Sequence, residues 1–308
     1  MHFTLRQLEI FLAVAQQGTV SAAAQRLSMS QSATSTALGE LERQFEIRLF
    51  DRIGRSLRLN AVGLDLLPRA VGLLDRAAEI EGVLGRHAVF GDLSIGATLT
   101  VGNYLATLVV ADFLQRHPES HIDLRVHNTT AILDGLLRFE LDLGLVEGPC
   151  HHPDLEVEQW VADELVVFAA PDHALAAAGE VPWARLAQEP WILREPGSGT
   201  RATFDQAVAG LAGPVRVRLE LEHTEAIKRS VEAGLGLGCI SRLALRDAFR
   251  RGSLAPVECP ELRLGRHFSF VWHRQKYRTA GMAAFLELCR QYTCGVSRSD
   301  QMPLPFVP

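Results

Sequence analysis

The run Thr19-Val-Ser-Ala-Ala-Ala-Gln-Arg-Leu-Ser-Met-Ser-Gln-Ser-Ala-Thr-Ser-Thr-Ala-Leu38 settles the character of the first part of the chain. Residues 20–27 form a short segment whose alanines let backbones approach, Ser28-Met29-Ser30 makes a turn, and helical spacing resumes from Gln31 to about Phe45. Two short helices joined by a tight turn have the form of a helix-turn-helix. Ahead of them, Leu5, Leu8, Ile10, Phe11, Leu12, Val14 and Ala15 recur at helical spacing between Thr4, a natural N-cap, and Gly18, a stop. Behind them the period becomes two: Ile47 and Leu49 alternate with polar residues, Gly54 breaks the run and Leu57-Arg58-Leu59 alternates again, which predicts a β-hairpin. Arg48, Arg52, Arg55 and Arg58 stand against Asp51 alone there, so this wing holds most of the local positive charge. Asn60 then caps a long helix reaching about residue 87. Its Leu66, Ala70, Leu73, Ala77, Ile80 and Leu84 are four and three apart, the seam two helices need to pack along their length. Pro68 either bends this helix or marks its true start.

The rest of the chain has a different rhythm. With 308 residues, 47% hydrophobic and 22% charged, the protein has material for about two folded domains, and whole-chain disorder is excluded. No stretch approaches a membrane span, and Arg6 and Glu9 stand where a signal peptide needs its apolar core, which predicts a cytoplasmic protein. The five cysteines are scattered without CxxC spacing, so reduced thiols are expected in place of a disulfide framework or zinc site. Residues 1–60 hold seven Arg against five acidic residues in a chain of net charge −5, a mildly basic head on an acidic body. Lys228 and Lys276 are the only lysines, which narrows the scope for Schiff-base and P-loop chemistry. From Gly91, short β runs at 93–97, 122–127, 141–146, 165–170, 191–193, 215–221, 238–241 and 268–272 are separated by helical segments. This is the pattern of open, mostly parallel α/β sheets. His151-His152-Pro153 breaks the middle, so two lobes are expected, with ligands bound beyond the carboxyl ends of their strands. The tail at 303–308 is expected to be disordered.

Ala22-Ala23, Leu27, Ser30-Gln31-Ser32-Ala33, Ser35, Leu41-Glu42, Leu49-Phe50-Asp51-Arg52, Leu59 and Gly63 closely resemble, in order and spacing, the DNA-binding head of LysR-type transcriptional regulators. The similarity continues through 141–146, 194–201 and Gly234-Leu-Gly236. Asn103-Tyr104 and the 194–201 run look like the branch that includes regulators of sulfite reductase and of carbon fixation. The resemblance implies an α/β protein with an N-terminal winged helix-turn-helix at 1–60 and a linker and dimerisation helix at 61–90. A two-lobed, periplasmic-binding-protein-like effector domain would follow at 91–300, with lobe I about 91–162 plus 266–295 and lobe II about 163–265. It implies a regulator and no enzyme, with a small-molecule effector and no cofactor. The implied partners are double-stranded DNA carrying an interrupted dyad operator, RNA polymerase, and further copies of the chain as a dimer or tetramer. Glu46 departs from the family's glycine at the end of the third helix. A residue forced left-handed there costs roughly 1–2 kcal/mol, so that end is expected to be built differently. Thr34 and Thr36 replace a usually apolar and a frequently larger residue.

Candidate DNA-contacting residues are Ser30, Gln31, Ser32, Thr34, Ser35 and Thr36 at the start of the third helix, where Gln can bind adenine bidentately and hydroxyls can reach bases or phosphates. The bland alternative is a solvated face capped by Ser30. Arg52, Arg55 and Arg58 suit phosphate or a narrow minor groove, or merely solubility, and Arg52 could equally pair with Asp51. Thr98, Leu99 and Thr100, like Ser198, Gly199 and Thr200, follow a strand and open a helix, where an anion gains about 0.3–1 kcal/mol from the dipole. Ordinary N-capping accounts for them equally well. With Asn128, Thr129, Glu147, Arg201 and Thr224 they form a candidate site for a small, anionic metabolite. Leu66, Leu73, Ile80 and Leu84 are the candidate dimerisation seam. Gly234-Leu-Gly236-Leu-Gly238 is no dinucleotide fingerprint, because it follows a helix and precedes a strand. Cys150-His151-His152 reads as an inter-lobe turn and not as a metal site. Two rivals remain: a solute-binding protein, which has no use for residues 1–90, and an α/β enzyme, for which no catalytic set stands out.

Overall fold

A computed structural model of the chain describes residues 2–84, 90 and 92–302. Thr4 opens α1 (Leu5–Gln17) with a capping box: its hydroxyl accepts the Gln7 N–H, and the Gln7 amide oxygen accepts the Thr4 N–H. Thr19 and Ser30 cap α2 (Val20–Arg26) and α3 (Gln31–Gln44) with their own hydroxyls. The wing is the antiparallel pair β1 (Phe50–Ile53) and β2 (Ser56–Leu59). It begins later than the alternation at Ile47 and Leu49 predicts, because Leu49 is buried in the head's core with Phe11, Val14, Ala23 and Leu41 and Ile47 packs against it. A fully buried Phe such as Phe11 contributes about 1.5–3 kcal/mol.

Asn60 introduces α4 (Ala61–Leu84), accepting the Gly63 N–H at 3.0 Å while its amide donates to the Arg48 carbonyl at 2.9 Å. Pro68 lies inside this helix and does not start it. The hydrogen bond it cannot make is to Leu64, a residue open to solvent at 59% exposure. The expected continuation to residue 87, Gly91 and the tail at 303–308 lie outside the described residues.

The body begins with β3 (Asp92–Thr98). Then α5 (Leu99–Val101), a π-helical turn (Gly102–Ala106) and α6 (Thr107–Arg116) run on without a break. Next come β4 (His121–His127), α7 (Thr129–Leu137), β5 (Leu143–Glu147), β6 (Leu155–Ala169), α8 (Trp183–Leu186) and β7 (Pro190–Arg194). They are followed by α9 (Gly199–Val208), β8 (Arg216–Leu221), α10 (Thr224–Glu232), β9 (Leu237–Ser241) and α11 (Arg242–Arg251). The last elements are β10 (Ala255–Val257), β11 (Gly265–His273) and α12 (Ala280–Tyr292). The strands lie in the order β4-β3-β5-β11-β6-β9-β7-β8, with β10 on β6.

The sheet is less parallel than expected. β3 is parallel to β4 and β5, and β7 to β8 and β9, but every pairing of β6 and β11 is antiparallel. The physical reason is the chain's route: β6 leads out to the second group of strands and β11 leads back, so the two middle strands run opposite ways. The first half of β6 pairs with β11 and its second half with β9 and β10. Cys150-His151-His152 is therefore not an inter-lobe turn. It joins β5 to the first half of β6, and the chain enters the second group only near Leu165. Separate cores flank the crossing, one around Ile95, Phe113, Phe270 and Phe285, the other around Trp183, Trp191 and Phe204. Among the described residues no helix is long and apolar enough to cross a membrane, no His/Cys/Asp/Glu group could hold a metal, and all five cysteines are free.

Candidate functional site

The head presents one polar face. Gln31, Ser32, Ser35 and Thr36 are exposed in the first two turns of α3, and Ser30 caps it by accepting the Ala33 N–H at 3.2 Å. Thr34 is a correction: it is fully buried and donates to the Ser30 carbonyl at 3.0 Å, so it faces the core and cannot reach a base. Arg52, Arg55 and Arg58 are exposed on the wing, and no ion pair involves Arg52 among the described residues. Glu42, which motif reading left without a role, sets the wing's position. Its carboxylate accepts the Leu49 N–H at 2.8 Å and pairs with Arg48 at 3.1 Å.

The second site lies where β3, β4, β7 and β8 hand over to helices. Both groups of strands meet here directly: Gly199 N–H donates to the Thr129 hydroxyl at 3.0 Å, Thr200 to Glu147 Oε1 at 3.2 Å, and Thr130 N–H to the Gly197 carbonyl at 3.1 Å. A methyl group at Gly199 would overlap the Glu147 carbonyl oxygen, so only glycine allows this approach. Thr98, Thr129, Glu147, Gly199 and Thr200 are thus brought together, and they are buried, as are Leu99, Thr100, Ser198 and Thr224. Several are already satisfied. Thr98 bridges the Leu145 carbonyl and the Glu147 N–H, and Ser198 caps α9. Arg201 is turned to Asp205, Glu220 and the Arg194 carbonyl, so its guanidinium is not free for a ligand in this arrangement.

Beside this closed contact a cleft of about 430 Å³ remains, lined by Leu99, Asn103, His127, Asn128, Glu195 and His223. Sequence reading missed Asn103, His127 and Glu195 as lining residues. Asn103 enters through the π-helical turn, and Glu195 is held by the buried Arg194 through two hydrogen bonds of 2.7 and 2.9 Å. Arg266 was missed as well. Its Nε donates to Asp163 at 2.6 Å, one Nη to Thr200 at 2.9 Å, and the other lies 3.5 Å from Glu147. Burial alone would lower its pKa, yet Glu147 and Asp163 raise it above the ordinary value, so the guanidinium stays charged. On the far rim Tyr104 donates to Glu225 at 2.8 Å.

On α4, Leu73, Ile80 and Leu84 are 39%, 60% and 76% exposed, while Leu66 packs partly against the head's core. An apolar groove of about 520 Å³ beside them is lined by Phe3, Leu8, Phe45, Ile47, Leu66 and Leu73.

Comparison with known proteins identifies the two parts of the chain. Residues 5–64 match the bacterial regulatory helix-turn-helix of the lysR family, and residues 87–293 match the LysR substrate binding domain. The chain is 42% identical to YeiE of Escherichia coli K12, an uncharacterized HTH-type transcriptional regulator, over 94% of this chain and 98% of that one. It is 32% identical to the RuBisCO operon transcriptional regulator of Allochromatium vinosum, over 93% and 95%. A full-length OxyR variant from Pseudomonas aeruginosa shares the fold at TM-score 0.72 and 21% identity, covering 94% of each chain. The regulatory domain of CcmR from Synechocystis, solved in complex with 2-PG, superposes at TM-score 0.63 and 29% identity over 67% of this chain and 99% of that one. With its helix-turn-helix head for DNA, its effector-binding body and relatives that are regulators and not enzymes, the chain belongs to the LysR family of transcriptional regulators.

Proposed function

We propose that this cytoplasmic regulator inserts α3 into a major groove, with Gln31, Ser32, Ser35 and Thr36 toward bases, Ser30 toward phosphate, and Arg52, Arg55 and Arg58 toward the backbone or minor groove. Residues 1–60 are the DNA-binding unit and 61–90 the linker. Within 91–300, lobe I is about 91–162 plus 266–295 and lobe II about 163–265. Two chains pair through Leu66, Leu73, Ile80 and Leu84 on an interrupted dyad, further pairing gives a tetramer, and RNA polymerase is the partner whose recruitment changes. The observation that carries the reading is the exposed polar start of α3 beside three exposed wing arginines. In gel shifts on the protein's own upstream DNA, Gln31→Ala is expected to relax preference at one or two base positions by about 1–3 kcal/mol. Arg55→Ala should weaken all sequences alike and lower the salt slope by about one. A uniform loss for Gln31→Ala removes it from base reading.

The effector is a small anion held between the lobes, and its binding changes the oligomer's geometry on the operator. Support comes from the N-termini of α7 and α10, whose cap residues Asn128 and His223 line the cleft, and from the 2-PG bound by the related CcmR domain. Asn103 lines the cleft, so Asn103→Asp adds a negative charge there without removing a hydrogen bond seen in the structure. Any anion that raises the melting temperature of the wild type should bind this variant about tenfold more weakly. Equal affinity for both proteins places the anion elsewhere.

A further inference from the structure

Charged contacts join α4 to the body away from both sites described above. Lys276 follows β11, and its buried Nζ lies 2.7 Å from Asp75 on α4 and 2.7 Å from Asp142 just before β5. Asp142 is itself fixed, accepting the Ser94 N–H at 2.7 Å. One turn along α4, Glu79 accepts the Tyr277 hydroxyl at 2.9 Å and the Ala280 N–H at 2.8 Å, and Arg76 lies 4.7 Å from the centre of the Tyr277 ring. A second contact reaches the head itself: Phe139 is buried against the head's core, and its carbonyl accepts from Gln16 at 2.7 Å.

Removing the partners of a buried cation is strongly destabilising, so parting α4 from the body at this junction is costly. The strands that hold it are also those that end at the closed contact beside the cleft. β5 runs from beside Asp142 to Glu147, and β3 carries Ser94 at one end and Thr98 at the other. We propose that Lys276, gripped by Asp75 and Asp142, latches the linker helix to lobe I and so fixes the angle at which each head is presented to DNA. The consequence for DNA rests on α4 pairing two heads on one operator, as proposed above.

Hydrogen exchange and footprinting on the full-length protein test this separately. Lys276→Met is expected to speed exchange of the α4 amides at 72–81 about tenfold and to change the length of the protected region on the upstream duplex. A Cβ at Gly72 would lie 3.7 Å from that of Tyr277, within the roughly 3.5–4.5 Å a disulfide spans. Adding Gly72→Cys and Tyr277→Cys to Lys276→Met should therefore restore slow exchange and the wild-type footprint when oxidised, and lose both when reduced. Exchange within about twofold of wild type in Lys276→Met overturns the latch, and so does faster exchange with an unchanged footprint. Should no variant protect the duplex at all, the operator reading fails and the exchange result alone decides the latch. If Lys276→Met does not fold, Tyr277→Phe, which removes only the hydroxyl contact to Glu79, should speed the same amides about threefold, and no acceleration there refutes the proposal.

Discussion

Glu46 adopts the left-handed conformation at φ +53, so the end of α3 is not built differently, contrary to what its costly side chain led us to expect. The reason is local: the Ile47 N–H reaches the Glu42 carbonyl at 3.0 Å and the Glu46 N–H reaches Arg43 at 3.3 Å, so two orphan carbonyls at the end of α3 are satisfied. Ser28 and Phe139, at φ +54 each, end α2 and α7 in the same manner. Glu46→Gly should relieve the strain while loosening the unfolded chain, for a net gain of about 0.5–1 kcal/mol, read as a higher urea midpoint at unchanged slope. A lower midpoint would show that the glutamate side chain contributes more than its backbone strain removes. Residue chemistry was legible where it is local, as with the caps Thr4 and Ser30. It failed where the side chain's direction decides. Thr34 and Ser35 are adjacent hydroxyls, yet one is in the core and the other in solvent, and only the phase of the packed helix separates them.

At the scale of elements, α4 presents a row of large apolar side chains that stay open to solvent among the described residues. Leu73 borders the apolar groove beside the head and Ile80 lies beyond it, and neither belongs to the head's core. Leu73→Glu with Ile80→Glu should convert a dimer to monomers in sedimentation and weaken operator binding in step. A variant that still sediments as wild type shows that the row has no partner. This helix was readable because its period is sustained over 24 residues. β6 was readable only in its second half, where Leu165, Val166, Val167 and Phe168 are all buried. Its first half carries Glu156 and Glu158 and leaves Val157 40% exposed, so it owes its strand form to pairing with β11, over a hundred residues away in sequence.

Across the whole molecule, the Tyr104–Glu225 hydrogen bond joins helices that follow the two groups of strands, and the pKa values of both partners are shifted. Burial would raise the pKa of Glu225, but hydrogen bonds from Lys228 and Tyr104 bring it below its ordinary 4.5. Its stabilising contribution is therefore present above about 4.5 and lost as pH falls through the lower folded value. Tyr104 shifts the other way, upward from 10.0 through burial and then Glu225, so its contribution lasts until pH rises beyond that value. Tyr104→Phe should lower stability by about 0.5–1 kcal/mol at neutral pH, with a difference from wild type that is flat between roughly pH 5 and 9 and vanishes in acid. A difference that does not shrink at all as the pH falls below 4.5 would assign the effect to packing. The two-lobed plan was legible in the sequence, whereas the full lining of the cleft was not, because Asn103, His127 and Glu195 join Asn128 and His223 only through the sheet's long-range order. The burial of both lysines has a practical corollary. Lys228 and Lys276 are the only side-chain primary amines, and each is tucked beneath the surface, so an amine-acylating reagent at neutral pH should mark the folded protein mainly at its α-amino group. Adducts that accumulate at Lys276 in intact-mass measurements would then report, molecule by molecule, how often the head swings away from the body.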